Sequence, residues 1–325
     1  SPGDYRKETN LLSLDTIGRM WRVLRGFLSD VRRADVVLLF GRASFIFTMG
    51  SLLLWLNQVY RQPFFIKPFG GDLDVMLERG RLGRLGQRLL PAADGLLVQT
   101  QQMADTLRQK YHLQNVRYLP GYREPSDLPQ KTDFSPAGQL KIIFVGQLKA
   151  EKGVFELLEA VQLVQQGATQ LELTCDFYGP LFDEDAEAFT AALEKTAGAA
   201  SYKGVLPAAD VLSTMQNYDV LALPTYFINE GHPGVIIEAM QIGVPVISTD
   251  FRAIGELIAH GENGLLVPIK DSTSLADILK QLAADPTLRQ KLGTAHYQRR
   301  RRFQADVVIP DLLDMILPNG RDNLL

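Results

Sequence analysis

The chain alternates between short apolar runs and longer segments in which apolar residues recur at helical spacing. Short aliphatic, β-branched runs are typical of buried parallel strands, and the longer segments are typical of amphipathic helices packed against a sheet. We predict strands at residues 36–40, 64–66, 95–100, 116–120, 141–145, 171–178, 201–205, 219–223, 244–249 and 264–267. We predict helices at residues 11–33, 44–59, 102–111, 154–165, 184–196, 208–216, 234–241, 274–284, 286–299 and 307–317, with a further basic helix between the second and third strands.

This alternation predicts an α/β fold with two doubly wound, Rossmann-like parallel sheets that face each other across a cleft. Residues 121–139 are rich in Pro, Gly, Ser and Asp, which is typical of a linker. We therefore predict a first domain over residues 1–135, a second over 136–305, and a C-terminal helix within 306–325 that returns toward the first domain. The first half begins with a helix where such a domain normally opens with a strand, so we expect its first strand, the glycine-bearing turn after it and a helix to be missing or to lie outside this chain.

Composition excludes some classes of function. The 325 residues are 46% hydrophobic and 22% charged with a formal net charge of −3, which fits a soluble globular protein without a general bias toward nucleic acid. The one cysteine, Cys175, lies in an apolar run, so we expect a buried, inert thiol in a reducing cytoplasm. There is no signal peptide, and the most apolar helical segment, residues 45–56, is shorter than the ~20 residues that span a bilayer.

One stretch, residues 229–240, combines the signals of a binding site. It follows the apolar run at residues 219–225, and Pro233 and Gly234 stand where a helix can begin. Ligands of open parallel sheets bind at the carboxyl ends of strands, where a helix N-terminus attracts anions. Glu230 falls in the loop, and Glu238 lies inside the helix among apolar neighbours. Two such glutamates either lie on a solvated face or face one binding site. In the second case, hydroxyl groups of the ligand donate hydrogen bonds to the Glu238 carboxylate.

Two other turns carry glycine at the end of a predicted strand. The run from Gly146 to Gly153 lets the backbone approach a phosphate, with Lys152 as a point charge at the mouth of the next helix. Its alternative is a plain strand-to-helix turn with an exposed lysine. Gly70 and Gly71 follow the strand at residues 64–66, and they permit either a close approach by a ligand or a simple tight turn.

The order and spacing of these motifs resemble a known family. The run from Gly146 to Gly153, the pair Glu230 and Glu238 with seven residues between them, the run at residues 238–246, and Glu256 followed by residues 261–267 are similar to motifs of the family-four retaining glycosyltransferases, which have the GT-B fold. The resemblance covers residues 140–300. It implies that residues 136–305 form the nucleotide-sugar donor domain and that residues 1–135 form the acceptor side.

The resemblance also implies roles for individual residues. Lys152 would hold the donor diphosphate, Glu238 would bind the ribose hydroxyls, and Glu230 would lie by the sugar and support catalysis. The backbone around Val205 and Leu206 would meet the base. Glu230 and Lys152 are therefore the expected catalytic residues, and the expected donor-binding set is Gly146, Gln147, Lys152, Val205, Leu206, Glu230, Gly231, His232, Pro233, Gly234, Val235 and Glu238. For the His232 side chain we favour packing or solvation over a direct role in ligand binding.

The chain departs from the family pattern at two places. Gln147 stands where the family usually has a second phosphate-binding cation, and Gln147 offers only neutral hydrogen bonds. The run from Phe69 to Asp72 stands where the family commonly has a histidine before glycine, and it resembles a branch of bacterial surface-polysaccharide enzymes. Gly70, Gly71 and Asp72 are the expected acceptor-side residues.

The expected activity is that of a retaining hexosyltransferase that moves a sugar from a nucleotide diphosphate sugar to a glycan or lipid-linked acceptor. No metal-ligand spacing occurs among the four histidines, so we expect neither metal nor cofactor. Arginines at residues 299–302 and in the basic helix, Arg79, Arg81, Arg84 and Arg88, either touch anionic lipid at the inner face of the membrane or form solvated helix ends. The rivals are a non-catalytic sugar-nucleotide binding module and a dinucleotide-dependent oxidoreductase, which lacks a Gly-x-Gly-x-x-Gly after any predicted strand.

Overall fold

A computed structural model of the chain describes residues 14–167 and 171–317. The chain divides into two compact units: Ser1–Leu119 with Ile309–Leu325, and Pro120–Val308. Within the described residues, one sheet has four strands, the other has six, and every strand pair is parallel. The structure confirms the predicted α/β class with two parallel sheets. The start of the chain, to which the expectation of a missing first strand applies, and the tail after residue 317 lie outside the described residues.

The first unit has the strand order β1-β2-β3-β4. Its strands are β1 (Val37–Gly41), β2 (Phe64–Pro68), β3 (Gly95–Val98) and β4 (Val116–Tyr118). Its helices are α1 (Leu14–Asp30), α2 (Ala43–Phe45), α3 (Ser51–Tyr60), α4 (Leu73–Leu77), α5 (Gly80–Leu89) and α6 (Gln101–Tyr111), with a π-helical turn at Ile46–Gly50 between α2 and α3. The predicted helix at residues 44–59 is thus interrupted by a π-turn, and α4 is too short to show helical periodicity.

The second unit contains the six-stranded sheet. Its strands are β5 (Gln139–Val145), β6 (Glu172–Tyr178), β7 (Ala200–Tyr202), β8 (Val220–Leu223), β9 (Val246–Thr249) and β10 (Leu265–Val267). Its helices are α7 (Val154–Gln166), α8 (Asp183–Glu194), α9 (Val211–Met215), α10 (Gly234–Ile242), α11 (Ile254–Leu257), α12 (Ser272–Ala284) and α13 (Pro286–Arg299). Cys175 on β6 is buried as expected, and burial raises the pKa of its thiol.

The strand order of this sheet, β10-β9-β8-β5-β6-β7, fixes where a ligand can bind. From β5 the chain adds β6 and β7 on one side, and then crosses back to add β8, β9 and β10 on the other. The neighbours β5 and β8 therefore flank the point at which the winding direction reverses. In open parallel sheets the crevice at this point, outside the carboxyl ends of the strands, is the usual ligand site.

The segment predicted as a linker packs onto the second unit. The Lys131 N–H donates to the carbonyl of Ile242 at 2.7 Å, and the Ser135 N–H donates to Oδ1 of Asp219 at 2.8 Å. The division into units consequently falls between Leu119 and Pro120 and not at residue 135. Polar residues and prolines mark a segment without regular structure, but its hydrogen bonds to distant residues leave no pattern in sequence.

The last described helix, α14 (Ala305–Ile316), begins in the second unit and ends in the first. Within the first unit, Nη1 of Arg117 donates to the carbonyl of Met315. In the part of the chain that the structure describes, no helix is both long enough and apolar enough to cross a bilayer.

Candidate functional site

The loops after β5 and β8 lie against each other at the carboxyl edge of the second unit's sheet. The Tyr226 N–H donates to the carbonyl of Glu151 at 2.8 Å. Gly153, with φ of 78°, precedes α7, and a β-carbon there would overlap the carbonyl of Pro224. Only glycine therefore permits both this left-handed backbone and the close contact between the two loops.

Lys152 and Glu230 face each other across these two loops. Nζ of Lys152 is 2.5 Å from Oε2 of Glu230, and their side chains are only 14% and 10% exposed. The hydroxyl of Thr225 donates to the same carboxylate oxygen at 3.0 Å, and the Lys152 ammonium lies 4.8 Å from the ring centre of Phe227. An ion pair this shielded needs such additional partners, because desolvation of both charges is costly.

Tyr226 attaches the same loop to α7. Burial raises the pKa of Tyr226 to about 12, with the neighbouring carboxylate of Glu156 as the next cause, and burial also raises the pKa of Glu156. The Tyr226 hydroxyl therefore stays protonated at neutral pH. It remains a hydrogen-bond donor toward Glu156 on α7.

Glu238 projects from α10 and is paired with Arg123. Nε of Arg123 donates to Oε1 of Glu238 at 2.6 Å, and the Glu238 side chain is 22% exposed. A carboxylate among apolar neighbours, such as that of Glu238, needs a hydrogen-bonding partner. Arg123, from the segment that follows the unit boundary, is that partner in this structure.

His232 is buried, and both ring nitrogens have partners. The Gly121 N–H donates to Nδ1 at 3.4 Å, and Nε2 is 3.1 Å from Oε2 of Glu256. With Nδ1 accepting from Gly121, the hydrogen-bond network assigns a proton to Nε2, which then donates to Glu256. The ring also meets Phe303 edge to face at 5.8 Å. This supports the packing role for the His232 side chain, which leaves the backbone of the loop for a ligand.

The loop from Gly231 to Pro233 is buried and leads into α10 without a side-chain cap. Gly234 and Val235 form the first turn, and both are partly accessible. The first N–H groups of an uncapped helix are available to an anion, and the helix dipole favours negative charge there. The expected donor-binding residues from Gly231 to Val235 thus share one helix start.

The loops after β6 and β7 adjoin the loop after β5. The Gly146 N–H donates to the carbonyl of Tyr178 at 3.0 Å, and a β-carbon at Gly179 would overlap the carbonyl of Gly146. The Gly179 N–H in turn donates to Gly204 at 2.9 Å. Gln147 is partly buried beside Gly146, whereas Val205 is 60% exposed and Leu206 packs partly against the core. The structure therefore brings the expected phosphate and base positions to one edge of the sheet.

The expected acceptor-side residues lie in the first unit, at the carboxyl end of β2. Gly70 adopts φ of 95°, and Asp72 precedes α4. Gly70 and Gly71 line a small cavity together with Thr100 and Met103. Phe69, beside them, is 60% exposed and packs edge to face on Phe40 at 5.7 Å.

Sequence reasoning missed several residues of the second unit's site. Arg123 lies in the segment whose composition predicts a linker, Thr225 lies at the end of an apolar run, and Glu256 lies in a motif that resembles the family by its spacing. Thr225 is fully buried immediately after β8, where a polar residue at a strand end signals a site. Arg123 gives no comparable signal, because its partner Glu238 is 115 residues away.

The arginines at residues 299–302 contact other residues of the second unit. Nη1 of Arg299 donates to Asn263 at 2.8 Å, Arg300 lies 3.5 Å from the ring centre of Tyr297, and Arg301 pairs with Asp306. These contacts favour the solvated helix-end alternative for this run. Among the described residues, no group of three or more His, Cys, Asp or Glu side chains is placed to hold a metal ion.

Comparisons with known proteins found a matching family model and similar relatives. Residues 126–299 match the model of the family described as glycosyl transferases group 1. The amylovoran biosynthesis glycosyltransferase AmsK of Erwinia amylovora is 31% identical over 44% of this chain and 36% of its own length. The capsular polysaccharide biosynthesis glycosyltransferase CapM of Staphylococcus aureus is 27% identical over 53% of this chain and 44% of its own. This chain thus matches less than half of the length of each of these two relatives.

A solved structure extends the similarity to both units. Anabaena HepE in complex with UDP superimposes with a TM-score of 0.72 at 17% identity, covering 91% of this chain and 82% of that one. At this identity the likeness shows the fold, which is that of the GT-B glycosyltransferases.

Proposed function

The chain belongs to the group 1 glycosyl transferase family, and from this premise we propose that it transfers a hexosyl unit from a nucleoside diphosphate sugar to a hydroxyl acceptor with retention of configuration. The observation that carries the proposal is the Lys152–Glu230 pair at the switch point of the second unit, beside the uncapped start of α10. A cation, a carboxylate and a helix N-terminus at one crevice suit a sugar with an anionic leaving group.

Charge stabilisation of the departing diphosphate is the first task of such a site. Without ligand, Lys152 and Glu230 neutralise each other. A bound diphosphate gives Lys152 an anionic partner, and the sugar hydroxyls give Glu230 hydrogen-bond donors in exchange. Lys152 and the N–H groups of Gly234 and Val235 then stabilise the charge that develops as the glycosidic bond to the phosphate breaks.

The second task is to hold the nucleoside. Glu238 accepts hydrogen bonds from the ribose hydroxyls in our proposal, because an ionised carboxylate is an acceptor only and a diol offers two donors. Oε1 of Glu238 is bound to Arg123, and Oε2, which has no hydrogen-bond partner among the described residues, can accept from a hydroxyl. The backbone at Val205 and Leu206, on the loop after β7, meets the base.

We propose that the new bond forms on the face of the sugar from which the diphosphate leaves. Protein cations and helix N–H groups carry the charge stabilisation, so the proposed reaction needs neither a divalent metal nor a cofactor. The expected outcome is full transfer activity in EDTA, with the product anomer matching the donor anomer by NMR. An inverted product, or activity restored only by a divalent ion, contradicts this part of the proposal.

We propose a glycan or lipid-linked acceptor in surface polysaccharide synthesis, because relatives are named for amylovoran and capsular polysaccharide biosynthesis. The acceptor contacts the first unit at Gly70, Gly71 and Asp72. Arg81, Arg84 and Arg88 on α5 are exposed and suit an anionic membrane surface on the cytoplasmic side. Co-sedimentation should rise with the anionic lipid content of vesicles; binding that ignores this content contradicts membrane contact.

The test of the overall function is a panel of UDP-sugars and GDP-sugars incubated with the full chain and candidate acceptors. We expect acceptor-dependent release of free nucleotide with one donor of the panel, and its loss on Lys152→Ala or Glu238→Ala. Binding of a donor without any turnover favours the alternative, a non-catalytic binding module. Absence of binding to every donor contradicts the proposal itself.

A further inference from the structure

Arg123 occupies an unusual position for a residue outside any regular element. Its guanidinium lies directly over Gly234 at the first turn of α10, so that a β-carbon on Gly234 would overlap Nη2. Nε donates to Glu238, and Nη1 donates to the carbonyl of Tyr122 at 3.1 Å. Nη2 has no hydrogen-bond acceptor among the described residues. The fork therefore presents free donors at the helix start, next to Glu238.

The side chain is not the only part of Arg123 that holds this segment in place. The Arg123 N–H donates to the carbonyl of Phe303 at 2.9 Å, and the Ala305 N–H donates to the carbonyl of Arg123 at 2.8 Å. These two backbone hydrogen bonds form a parallel bridge between Arg123 and Gln304. Since the backbone is anchored independently, a guanidinium that is 42% exposed is free for another role.

The charges around Lys152 leave room for a second phosphate-binding cation at the crevice. Lys152 is already matched by Glu230, and Gln147, on the same loop as Lys152, is neutral. A nucleoside diphosphate carries more than one negative charge, so a single compensated lysine is a weak match for it. Arginine suits phosphate because its planar fork makes two parallel, charge-assisted hydrogen bonds.

Resting on the function proposed above, we infer that Arg123 is a second cationic residue of the donor site: Nη2 binds the diphosphate over Gly234 while Nε holds Glu238 toward the ribose. One side chain thereby links the two halves of the nucleotide, its phosphates and its pentose. Gly234 is required at this position because any side chain would displace the guanidinium.

Calorimetry of the full chain with UDP, uridine and inorganic pyrophosphate tests this inference. Arg123→Ala should weaken UDP and pyrophosphate about 10- to 100-fold, the range for a lost charged hydrogen bond, and should weaken uridine by a smaller factor. Arg123→Lys, which keeps the charge without the fork, should fall between. Glu238→Gln should show the opposite pattern, with UDP and uridine weakened together and pyrophosphate unchanged.

Lys280→Ala is the charge-matched control, because Lys280 is a partly exposed residue of α12 that pairs with Asp277 on the same helix, and it should leave all three affinities unchanged. Thermal unfolding confirms that each variant is folded. The inference is overturned if Arg123→Ala leaves UDP within twofold of wild type, or weakens UDP and uridine by the same factor. Wild-type protein that binds none of the three ligands, and no GDP, overturns the proposed function as well, so the two failures are distinguishable.

Discussion

Lys152 and Glu230 neutralise each other where both are almost fully shielded from solvent. Such a pair contributes little net stability, because desolvation of the two charges offsets the attraction between them. Removal of one partner, however, leaves the other charge buried without a counter-charge. Glu238 and Arg123 form a second pair that is more exposed. At the residue scale, the expected binding groups are therefore held in place by one another before any ligand arrives, and mutations expose this coupling.

Lys152→Ala should lower the free energy of unfolding by about 3 kcal/mol, because it leaves Glu230 buried and unpaired. The double variant Lys152→Ala with Glu230→Gln should recover a large part of that loss, since the stranded charge is gone. Urea denaturation of the wild type, both single variants and the double variant measures the coupling. Strictly additive changes would mean that the two side chains do not interact.

Gly234→Ala tests the position of the Arg123 side chain without a ligand. In the wild type, the new methyl group displaces the guanidinium from Glu238, which costs up to about 1 kcal/mol for a partly exposed ion pair. In an Arg123→Ala background that cost vanishes, and alanine in place of glycine should stabilise the helix by about 0.5 kcal/mol. Equal effects of Gly234→Ala in the two backgrounds, measured by urea denaturation, would contradict the contact.

At the scale of elements, a buried histidine on α13 holds the first turn of α10 in place. Nε2 of His296 is 3.3 Å from the carbonyl of Ile236, and Nδ1 is 3.0 Å from Nδ2 of Asn263. One ring nitrogen donates and the other accepts, which requires the neutral ring. Burial lowers the pKa of His296 to about 4, with the positive charge of Arg299 as a further cause.

The stability of the second unit should consequently fall in mild acid. Above pH 6.5, His296 is neutral in both the folded and the unfolded state. Between pH 6.5 and about pH 4, His296 becomes protonated in the unfolded chain but stays neutral in the folded chain, which favours unfolding. The loss across this window is about 3 kcal/mol. Urea denaturation at pH 8, 6 and 4.5 should show a shallower pH dependence for His296→Gln than for the wild type. Equal slopes would remove His296 as the cause.

Elements with a strong period were predictable, and elements defined by distant contacts were not. The β5, β8 and α10 segments follow from apolar runs flanked by Gly and Pro, which are local signals. The short helices α4 and α11 span four or five residues and carry no visible period. The segment after Pro120 was recognised as irregular, yet its hydrogen bonds to Asp219 and Ile242 depend on the assembled sheet.

At the scale of the whole molecule, order along the chain predicted the two sheets and the sheet edge at which Lys152 and Glu230 meet. Strand alternation implies parallel pairing, and the reversal of winding at β5 and β8 brings Lys152 to Glu230. The pairings within the site were not predictable, because an ion pair leaves no trace in spacing. Arg123 is the clearest example, since its charge lies in a stretch whose composition indicates only a linker.

Donor binding should leave a regional footprint on this molecule. Hydrogen exchange with a saturating donor nucleotide should show the largest new protection at residues 146–153 and 224–242, which form the loops after β5 and β8 and helix α10. A ligand at 100 times its dissociation constant adds about 2.7 kcal/mol to the stability of the unit that binds it. Protection centred instead on the first unit, around Gly70 and Gly71, would place the donor elsewhere.

The most direct measurement is a crystal structure of this chain with UDP or an accepted sugar nucleotide bound. We expect a phosphate oxygen about 2.8 Å from Nζ of Lys152 and ribose hydroxyls on Glu238, with the pyrophosphate at the first turn of α10. A nucleotide bound at another edge of the sheet, or bound here with Lys152 still paired to Glu230 and Glu238 turned away, would contradict this expectation.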